Sequence, residues 1–152
     1  MNPAPVTRAL AIVRACIALC LCNIPVVSAG TITIDEYNSP IQDVFPPPPP
    51  PYVVEIVEGA VVERNVYGHP IDDPTIGNTI NISGGSIRVN VYGGKYSGDV
   101  TGSNIINVSG GAIGNDVYGV YTTSGHIQDS TEVHISGGTI GGGVYGAYAE
   151  QS

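Results

Sequence analysis

The sequence predicts an all-β protein, a parallel β-helix (β-solenoid) of about four turns. An eleven-residue motif, SGGxIxxxVYG, recurs along the chain, and its tyrosines lie 25, 26 and 27 residues apart. A fixed period between roughly 20 and 50 residues is typical of solenoids. No window after residue 30 has the 3.6-residue apolar period of a helix, so we expect almost no helix there. The motif occupies residues 83–93, 109–119 and 136–146, with a diverged copy at 58–68.

Residues 1–29 have the composition of a secretory signal peptide. Arg8 and Arg14 precede an eight-residue apolar run, and Val27 and Ala29 occupy the two small-residue positions that a signal peptidase recognises. The run is shorter than the roughly 18 residues of a membrane-spanning helix. We therefore expect cleavage after Ala29, rather than a membrane anchor, and no transmembrane domain in the mature chain.

Cleavage would leave a strongly acidic chain without thiols. All three cysteines lie in the predicted signal peptide, so the mature chain has neither a disulfide nor a thiolate metal site. Loss of Arg8 and Arg14 leaves three basic against 13 acidic residues, a net charge of −10. Such a surplus of acid opposes binding to nucleic acid or to an anionic membrane surface.

Residues 30–51 are predicted to form an extended N-terminal segment that ends in a polyproline linker. The alternation in residues 31–34 predicts one short strand. The six consecutive prolines at 46–51 have no backbone N–H to donate and adopt the polyproline II conformation, a semi-rigid spacer of about 3 Å per residue. We expect the ordered unit to begin after this spacer, at Tyr52.

Residues 52–152 hold the repeats, and each repeat predicts the same short elements. A first strand alternates, with Ile80 and Ile82 pointing inward in the second repeat. A glycine pair then supplies the positive φ of a tight corner. A second strand runs from the isoleucine of the motif to its valine, and the glycine after each tyrosine forms another corner. We expect the variable stretches between the motifs to hold a third, weaker strand and a loop.

Stacked turns place equivalent residues above one another, about 4.8 Å apart. No single turn forms a core, and at least three are needed. A leucine-rich-repeat horseshoe is disfavoured because residues 30–152 contain no leucine, and a calcium-binding roll because its GGxGxD unit is absent. An antiparallel meander or barrel of hairpins stays open as an alternative. The predicted columns are an aliphatic one (Ile80, Ile106, Val133), a valine one (Val66, Val91, Val117, Val144) and one of tyrosines (Tyr67, Tyr92, Tyr118, Tyr145).

The polar residues predict no catalytic, cofactor-binding or metal-binding site, and we expect no cofactor. None of the three histidines has a metal-ligand spacing such as HExxH. His134 takes the place that Asn81 and Asn107 hold in other repeats, and Asp116 takes the place of Asn90. Both are therefore predicted to be outward members of polar columns, and the chain is predicted not to be an enzyme.

Three tyrosines follow the VYG tripeptide in successive repeats and form a candidate aromatic binding face. A column of aromatic side chains either stabilises the stack by packing or offers a flat surface to sugar rings or to a partner protein. The sequence leaves both roles open for these residues, which are Tyr96, Tyr121 and Tyr148.

Residues 52–152 resemble the passenger repeats of bacterial autotransporter (type V secretion) adhesins. The resemblance rests on the Gly-rich, Leu-poor turns and on the recurring NxSGGxIxxxVYG unit, together with the signal peptide. The resemblance implies secretion and display at the cell surface or outer membrane of a Gram-negative bacterium. It also implies a β-helical stalk or adhesin that binds a host or matrix glycan or protein. Autotransporters end in a translocator barrel, whereas this sequence ends at Ser152, shortly after its last VYG.

These observations together predict a secreted or cell-surface structural or adhesive module without catalytic activity. The alternatives are a β-helical polysaccharide-active enzyme, which requires convergent carboxylates on one face, and a truncated passenger remnant without independent function. Because solenoid ends need a cap to prevent edge-to-edge association, we also expect self-association through the ends.

Overall fold

Strands make up all the regular secondary structure of the described residues, so the all-β prediction is confirmed. No helix suited to crossing a membrane occurs in this part of the chain. The computed structural model describes residues 26–28, 30–46, 51–69, 77–128 and 130–150, and most of the predicted signal peptide and prolines 47–50 lie outside these ranges. The strands are β1 (Val26–Ser28), β2 (Thr31–Ile34), β3 (Tyr52–Ile56), β4 (Val61–Val62), β5 (Val66–Tyr67), β6 (Asn78–Ile82), β7 (Ser86–Ile87), β8 (Val91–Tyr96), β9 (Asn104–Val108), β10 (Ala112–Ile113), β11 (Val117–Thr122), β12 (Thr131–Ile135), β13 (Thr139–Ile140) and β14 (Val144–Ala149).

Three sheets run along the solenoid, and each turn contributes one strand to every sheet. The strand order is β1-β2-β3-β6-β9-β12 in the first sheet, β4-β7-β10-β13 in the second and β5-β8-β11-β14 in the third. Every pairing is parallel except that of β1 with β2. Turn 1 comprises β3 to β5, turn 2 β6 to β8, turn 3 β9 to β11 and turn 4 β12 to β14. These four turns confirm the predicted parallel β-solenoid and exclude the hairpin meander.

Isoleucine and valine side chains fill the interior, because alternate residues of a strand point to the same side of a sheet. Ile80 pairs with Ile106, and Ile106 pairs with Val133, as predicted. The first two are fully buried, whereas Val133, in turn 4, is only partly buried. The predicted valine column is also present, and its members Val66, Val91, Val117 and Val144 are paired in register.

The corner between the first and second sheets depends on the second glycine of each pair. Gly85, Gly111 and Gly138 have φ values of 72°, 80° and 81°. A left-handed conformation costs a residue with a Cβ atom roughly 1–2 kcal/mol, so glycine is favoured there. The predicted glycine-pair corner is confirmed.

The predicted second strand is wrong in its extent. The sequence suggested one strand from the isoleucine to the valine of each motif, but the chain turns between β7 and β8, around Asn90. The backbone N–H of Asn90 donates to Oδ1 of Asn65 in the preceding turn, at 3.2 Å. A side chain therefore stabilises this corner, and the alternation of apolar residues does not reveal it.

In turns 2 to 4 the glycine after the tyrosine lies within a strand and is not a corner, contrary to the prediction. Gly93 is buried within β8. A Cβ atom at this position would lie 2.4 Å from the carbonyl oxygen of Gly119 and 3.1 Å from Cβ of Asn104. Glycine is required here for close approach between turns, and the third strand of each turn begins at the VYG tripeptide instead of in the variable stretch.

Residues 31–46 form a partial turn ahead of turn 1, here named the leading turn. Its strand β2 pairs in parallel with β3. Single bridges join the rest of the leading turn to the other two sheets, Ile41 to Val62 and Val44 to Val66. The solenoid therefore begins before the proline run, and not after it as the sequence suggested.

Candidate functional site: the tyrosine surface of the third sheet

The outer face of the third sheet carries two columns of mainly aromatic side chains, here named the tyrosine surface. Parallel pairing of β8, β11 and β14 aligns the tyrosines of the VYG tripeptides. The same pairing aligns the residues three positions later in each strand. The first column contains Phe45, Tyr67, Tyr92, Tyr118 and Tyr145, and the second contains Lys95, Tyr121 and Tyr148.

Tyr96 does not belong to this surface, although the sequence grouped it with Tyr121 and Tyr148. It pairs with Thr122, which is completely buried, and its own side chain is also buried. Its ring stacks on that of His69, with 4.4 Å between the ring centroids. Lys95 takes the outward place next to Tyr121. The spacing from the tyrosine of the VYG tripeptide, three residues for Tyr121 and four for Tyr96, was the signal that could have separated them.

The first column is a continuous stack of rings along the solenoid axis. Centroid separations from Phe45 through the four tyrosines to Tyr145 are 4.6, 5.3, 5.2 and 5.0 Å. The interplanar angles do not exceed 13°. Offset-stacked rings at this separation attract each other beyond the effect of area burial alone. The predicted tyrosine column is therefore present, and Phe45 of the leading turn extends it.

The second column packs against the edges of the first. Tyr121 and Tyr148 stack with 5.5 Å between their centroids. Both contact Tyr118 in T-shaped geometry, at 5.3 and 5.8 Å. Nζ of Lys95 lies 4.7 Å from the ring centroid of Tyr92 and 5.4 Å from that of Tyr121, which are cation–π distances.

This arrangement leaves few ring faces open. Tyr67, Tyr92 and Tyr118 each have a stacked ring on both faces. A sugar ring that binds an aromatic side chain lies on its face, so these three residues present mainly edges and hydroxyl groups to a ligand. The tyrosines of turn 4 have a ring on one face only, and Tyr145 and Tyr148 are 38% and 40% exposed.

Hydrogen bonds fix several tyrosine hydroxyl groups. Tyr118 donates to Oδ2 of Asp116 at 3.1 Å, and Tyr121 donates to the carboxylate of Glu150. Burial, followed by the bond to Asp116, raises the pKa of Tyr118 well above its usual value. The hydrogen bond to Glu150, followed by burial, raises the pKa of Tyr121 to about 12. Both hydroxyl groups therefore stay protonated, as donors, across the physiological range.

A ladder of Asn and Asp side chains runs beside the tyrosine surface, at the corner between the second and third sheets. In each case Oδ1 accepts the backbone N–H of the equivalent residue one turn later. The sequence predicted Asp116 as a member of this column, which is confirmed, but it missed Asp43 because the leading turn has no VYG tripeptide. The steps run from Asp43 to Asn65, Asn65 to Asn90, Asn90 to Asp116 and Asp116 to Gly143, at 3.0, 3.2, 3.0 and 2.7 Å.

A second ladder lies on the outer face of the first sheet. Nδ2 of Asn81 donates to Oε1 of Glu55, and Nδ2 of Asn107 donates to Oδ1 of Asn81, both at 2.8 Å. His134 is paired with Asn107, which confirms the place predicted for it. Its Nε2 lies 2.9 Å from a carboxylate oxygen of Glu132 in the same strand.

Two further contacts of charged residues join neighbouring turns. Arg64 lies 3.0 Å from a carboxylate oxygen of Asp43. The backbone N–H of His126 donates to Oδ1 of Asp99 at 2.8 Å, and this bond is the main reason that the pKa of Asp99 is lowered. No group of three or more His, Cys, Asp or Glu side chains that could hold a metal ion occurs within the described ranges.

Comparison with known proteins adds no relative to this picture. No protein-family model matches the chain, and neither a curated protein nor a solved structure matches it.

Proposed function

We propose that the chain is a secreted or cell-surface structural and adhesive module, similar to an autotransporter passenger, and that it has no catalytic activity. The observation that supports this proposal is the direction of the side-chain interactions. Asp43, Asn65, Asn90 and Asp116 bond to the backbone of the next turn. The polar groups of the corner thus hold turns together, as the aromatic rings do.

A stack of this kind suits a rigid display element. Backbone pairing, buried aliphatic columns, polar ladders and stacked rings all act along one axis, so each added turn repeats the same contacts. A catalytic site needs a few groups that converge on one substrate atom. Asn and Asp side chains that are distributed one per turn and bonded to the next turn favour a structural role.

The tyrosine surface is the part of this module that we assign to adhesion. Tyr121 and Tyr148 of the candidate face lie on it, with Lys95 beside them. Aromatic edges, the hydroxyl groups of the exposed Tyr145 and Tyr148 and one ammonium group suit the hydroxyl groups and ring edges of a glycan or a polar protein surface. Because residues 30–152 have a predicted net charge of −10, we expect a neutral or basic ligand.

Retention on immobilised polysaccharides and matrix proteins tests the proposal, with the same incubation assayed for shortened glycan chains. We expect retention without cleavage, and we expect Tyr148→Ser to weaken it at least fivefold. Tyr37→Ser is the matched control, because Tyr37 is 70% exposed and lies outside the tyrosine surface. Release of shortened chains would support the polysaccharide-active enzyme instead. If Tyr148→Ser and Tyr37→Ser weaken retention equally, the tyrosine surface is not the adhesive surface.

A further inference from the structure

Turn 4 is the last described turn, and its C-terminal face is open among the described residues. Within the described residues, no strand pairs with the outer edges of β12, β13 and β14. Inward positions that are fully buried in turns 2 and 3 are open here, with Ile135 47% and Val144 45% exposed. Exposed strand edges and apolar side chains of this kind form a surface for another layer of strands.

The leading turn has the side chains that this surface requires. The layers are in register, and five columns that end in turn 4 begin in the leading turn with a residue of the same class. The terminal pairs are Ile32 and Val133, Ile34 and Ile135, Ile41 and Ile140, Val44 and Val144, and Phe45 and Tyr145.

We propose that the C-terminal end of one copy binds the leading turn of a second copy, so that solenoids join head to tail. Strand β12 pairs in parallel with β2 of the next copy, and its Phe45 stacks on Tyr145. A two-fold arrangement of two C-terminal ends fits poorly, because it reverses the order of the sheets. If β12 of one copy faced β12 of the other, for example, the two-residue β13 would face the six-residue β14.

Strand β1 determines when this contact can form. It pairs antiparallel with β2, through Val26 with Thr33 and Ser28 with Thr31, and so occupies the edge that a second copy would use. Cleavage after Ala29 removes β1 and frees that edge. The inference rests on the proposed secretion in this one respect: the chain assembles after its signal peptide is lost and not before.

Gly146 offers a way to block the contact without disturbing the fold. A Cβ atom at Gly68, Gly93 or Gly119 would lie 2.5, 2.4 or 2.3 Å from a carbonyl oxygen of the following turn. At Gly146, the last member of this column, no atom lies within 4 Å of the same Cβ position. A side chain there is harmless in a single copy, but it meets the backbone of the next copy in a head-to-tail stack.

Sedimentation velocity over a range of concentrations tests the proposal. The full chain is produced in a secreting host, and mass spectrometry identifies its first residue. If the host leaves residues 1–29 in place, the proposed secretion fails. A chain with a protease site inserted before Gly30, cut in solution, then supplies the same N-terminus for the assembly test.

We expect the chain that begins at Gly30 to form an open-ended series of species and the uncut chain to stay monomeric. Gly146→Val should raise the concentration needed for assembly by about tenfold or more, as overpacking of an interface predicts, with an unchanged melting temperature at low concentration. Thr139→Val, an isosteric change in the same turn at a column where Val61 already stands, should assemble normally.

Mixing the Gly146→Val variant with the wild type tests whether the contact is head to tail. A Gly146→Val chain still adds its leading turn to a wild-type end but accepts no further copy, so equal amounts of variant and wild type should shorten the assemblies. The proposal is overturned if the chain that begins at Gly30 is monomeric or stops at a dimer. It is also overturned if Gly146→Val assembles as the wild type does.

Discussion

The first and last turns of the solenoid have matching side chains in different surroundings. Ile34 and Ile135 belong to one column, and Val44 and Val144 to another. In the full chain the two residues of the leading turn are 0% exposed, whereas their counterparts in turn 4 are nearly half exposed. Residue type and register are the same, so the presence of a covering layer decides the burial. In this fold, each turn is stabilised by its neighbours more than by itself.

The largest effect is expected when an isoleucine side chain of one aliphatic column is truncated to alanine. Ile82 and Ile135 occupy equivalent places in turns 2 and 4, with 1% and 47% exposure. Ile82→Ala should lower the free energy of unfolding by about 2–5 kcal/mol, because it removes buried methylene groups and leaves a cavity. Ile135→Ala should cost less than about 1 kcal/mol, since surface changes have small effects. Urea denaturation of both variants at low protein concentration measures the difference, and equal losses would contradict nearest-neighbour stabilisation.

A glycine column gives the second test. In Gly119→Ala the new methyl group would meet the Gly146 carbonyl oxygen at 2.3 Å and the Thr131 side chain, so we expect a loss of about 1–3 kcal/mol. Gly146→Ala places the same methyl group in open space and should be neutral or slightly stabilising. Thermal melts of the two variants, recorded by circular dichroism, compare them directly. If Gly146→Ala loses stability, the new methyl group meets other atoms, and turn 4 is then not open in the isolated chain.

A substitution in the ladder of Asn and Asp side chains should lower the stability by a smaller amount. Asn90→Ala leaves the N–H of Asp116 without the oxygen that accepts it and should cost about 1 kcal/mol. Asn115→Ala, at the exposed neighbouring position, is the control and should stay within about 0.5 kcal/mol of the wild type. Denaturant midpoints separate the two. If both variants unfold alike, the ladder is not a source of stability.

The tyrosine surface should make the fold sensitive to alkali. Folding raises the pKa of Tyr67, Tyr92, Tyr118 and Tyr121. Below pH 10 each phenol is protonated in both states, so its contribution to stability is fully present. Above that value the unfolded chain loses protons that the folded chain retains, and stability falls as the pH approaches the folded pKa.

A substitution of Glu150 tests how much of the raised pKa of Tyr121 comes from its hydrogen bond. Tyrosinate absorbance should show Tyr121 titrating near pH 12 in the wild type, and Glu150→Gln should lower that pKa because it removes the carboxylate that accepts the hydroxyl proton. Tyr121→Phe identifies the signal. An unchanged titration in Glu150→Gln would show that the bond to Glu150 is not the main cause.

The repeat predicted much of the fold, because register between turns is visible in the spacing of equivalent residues. The aliphatic and tyrosine columns, the glycine-pair corner and the outward places of His134 and Asp116 follow from that spacing. The corner at Asn90 does not, because a side chain from the previous turn stabilises it in place of a local turn motif. The leading turn was missed since it has no VYG tripeptide, and only pairing with turn 1 identifies it. Tyr96 was misplaced by one residue, and a shift of one residue moves a side chain to the opposite face of a strand.

Hydrogen exchange of the backbone amides, measured on the monomeric chain, tests the central claim most directly. The strands of turns 2 and 3 have a layer on each side, whereas β12, β13 and β14 have one only, among the described residues. Nearest-neighbour stabilisation predicts slow exchange in β6, β8 and β9, and exchange at least about tenfold faster in turn 4, as expected of a region that opens locally. Uniform protection of all turns, or the strongest protection in turn 4, would contradict it.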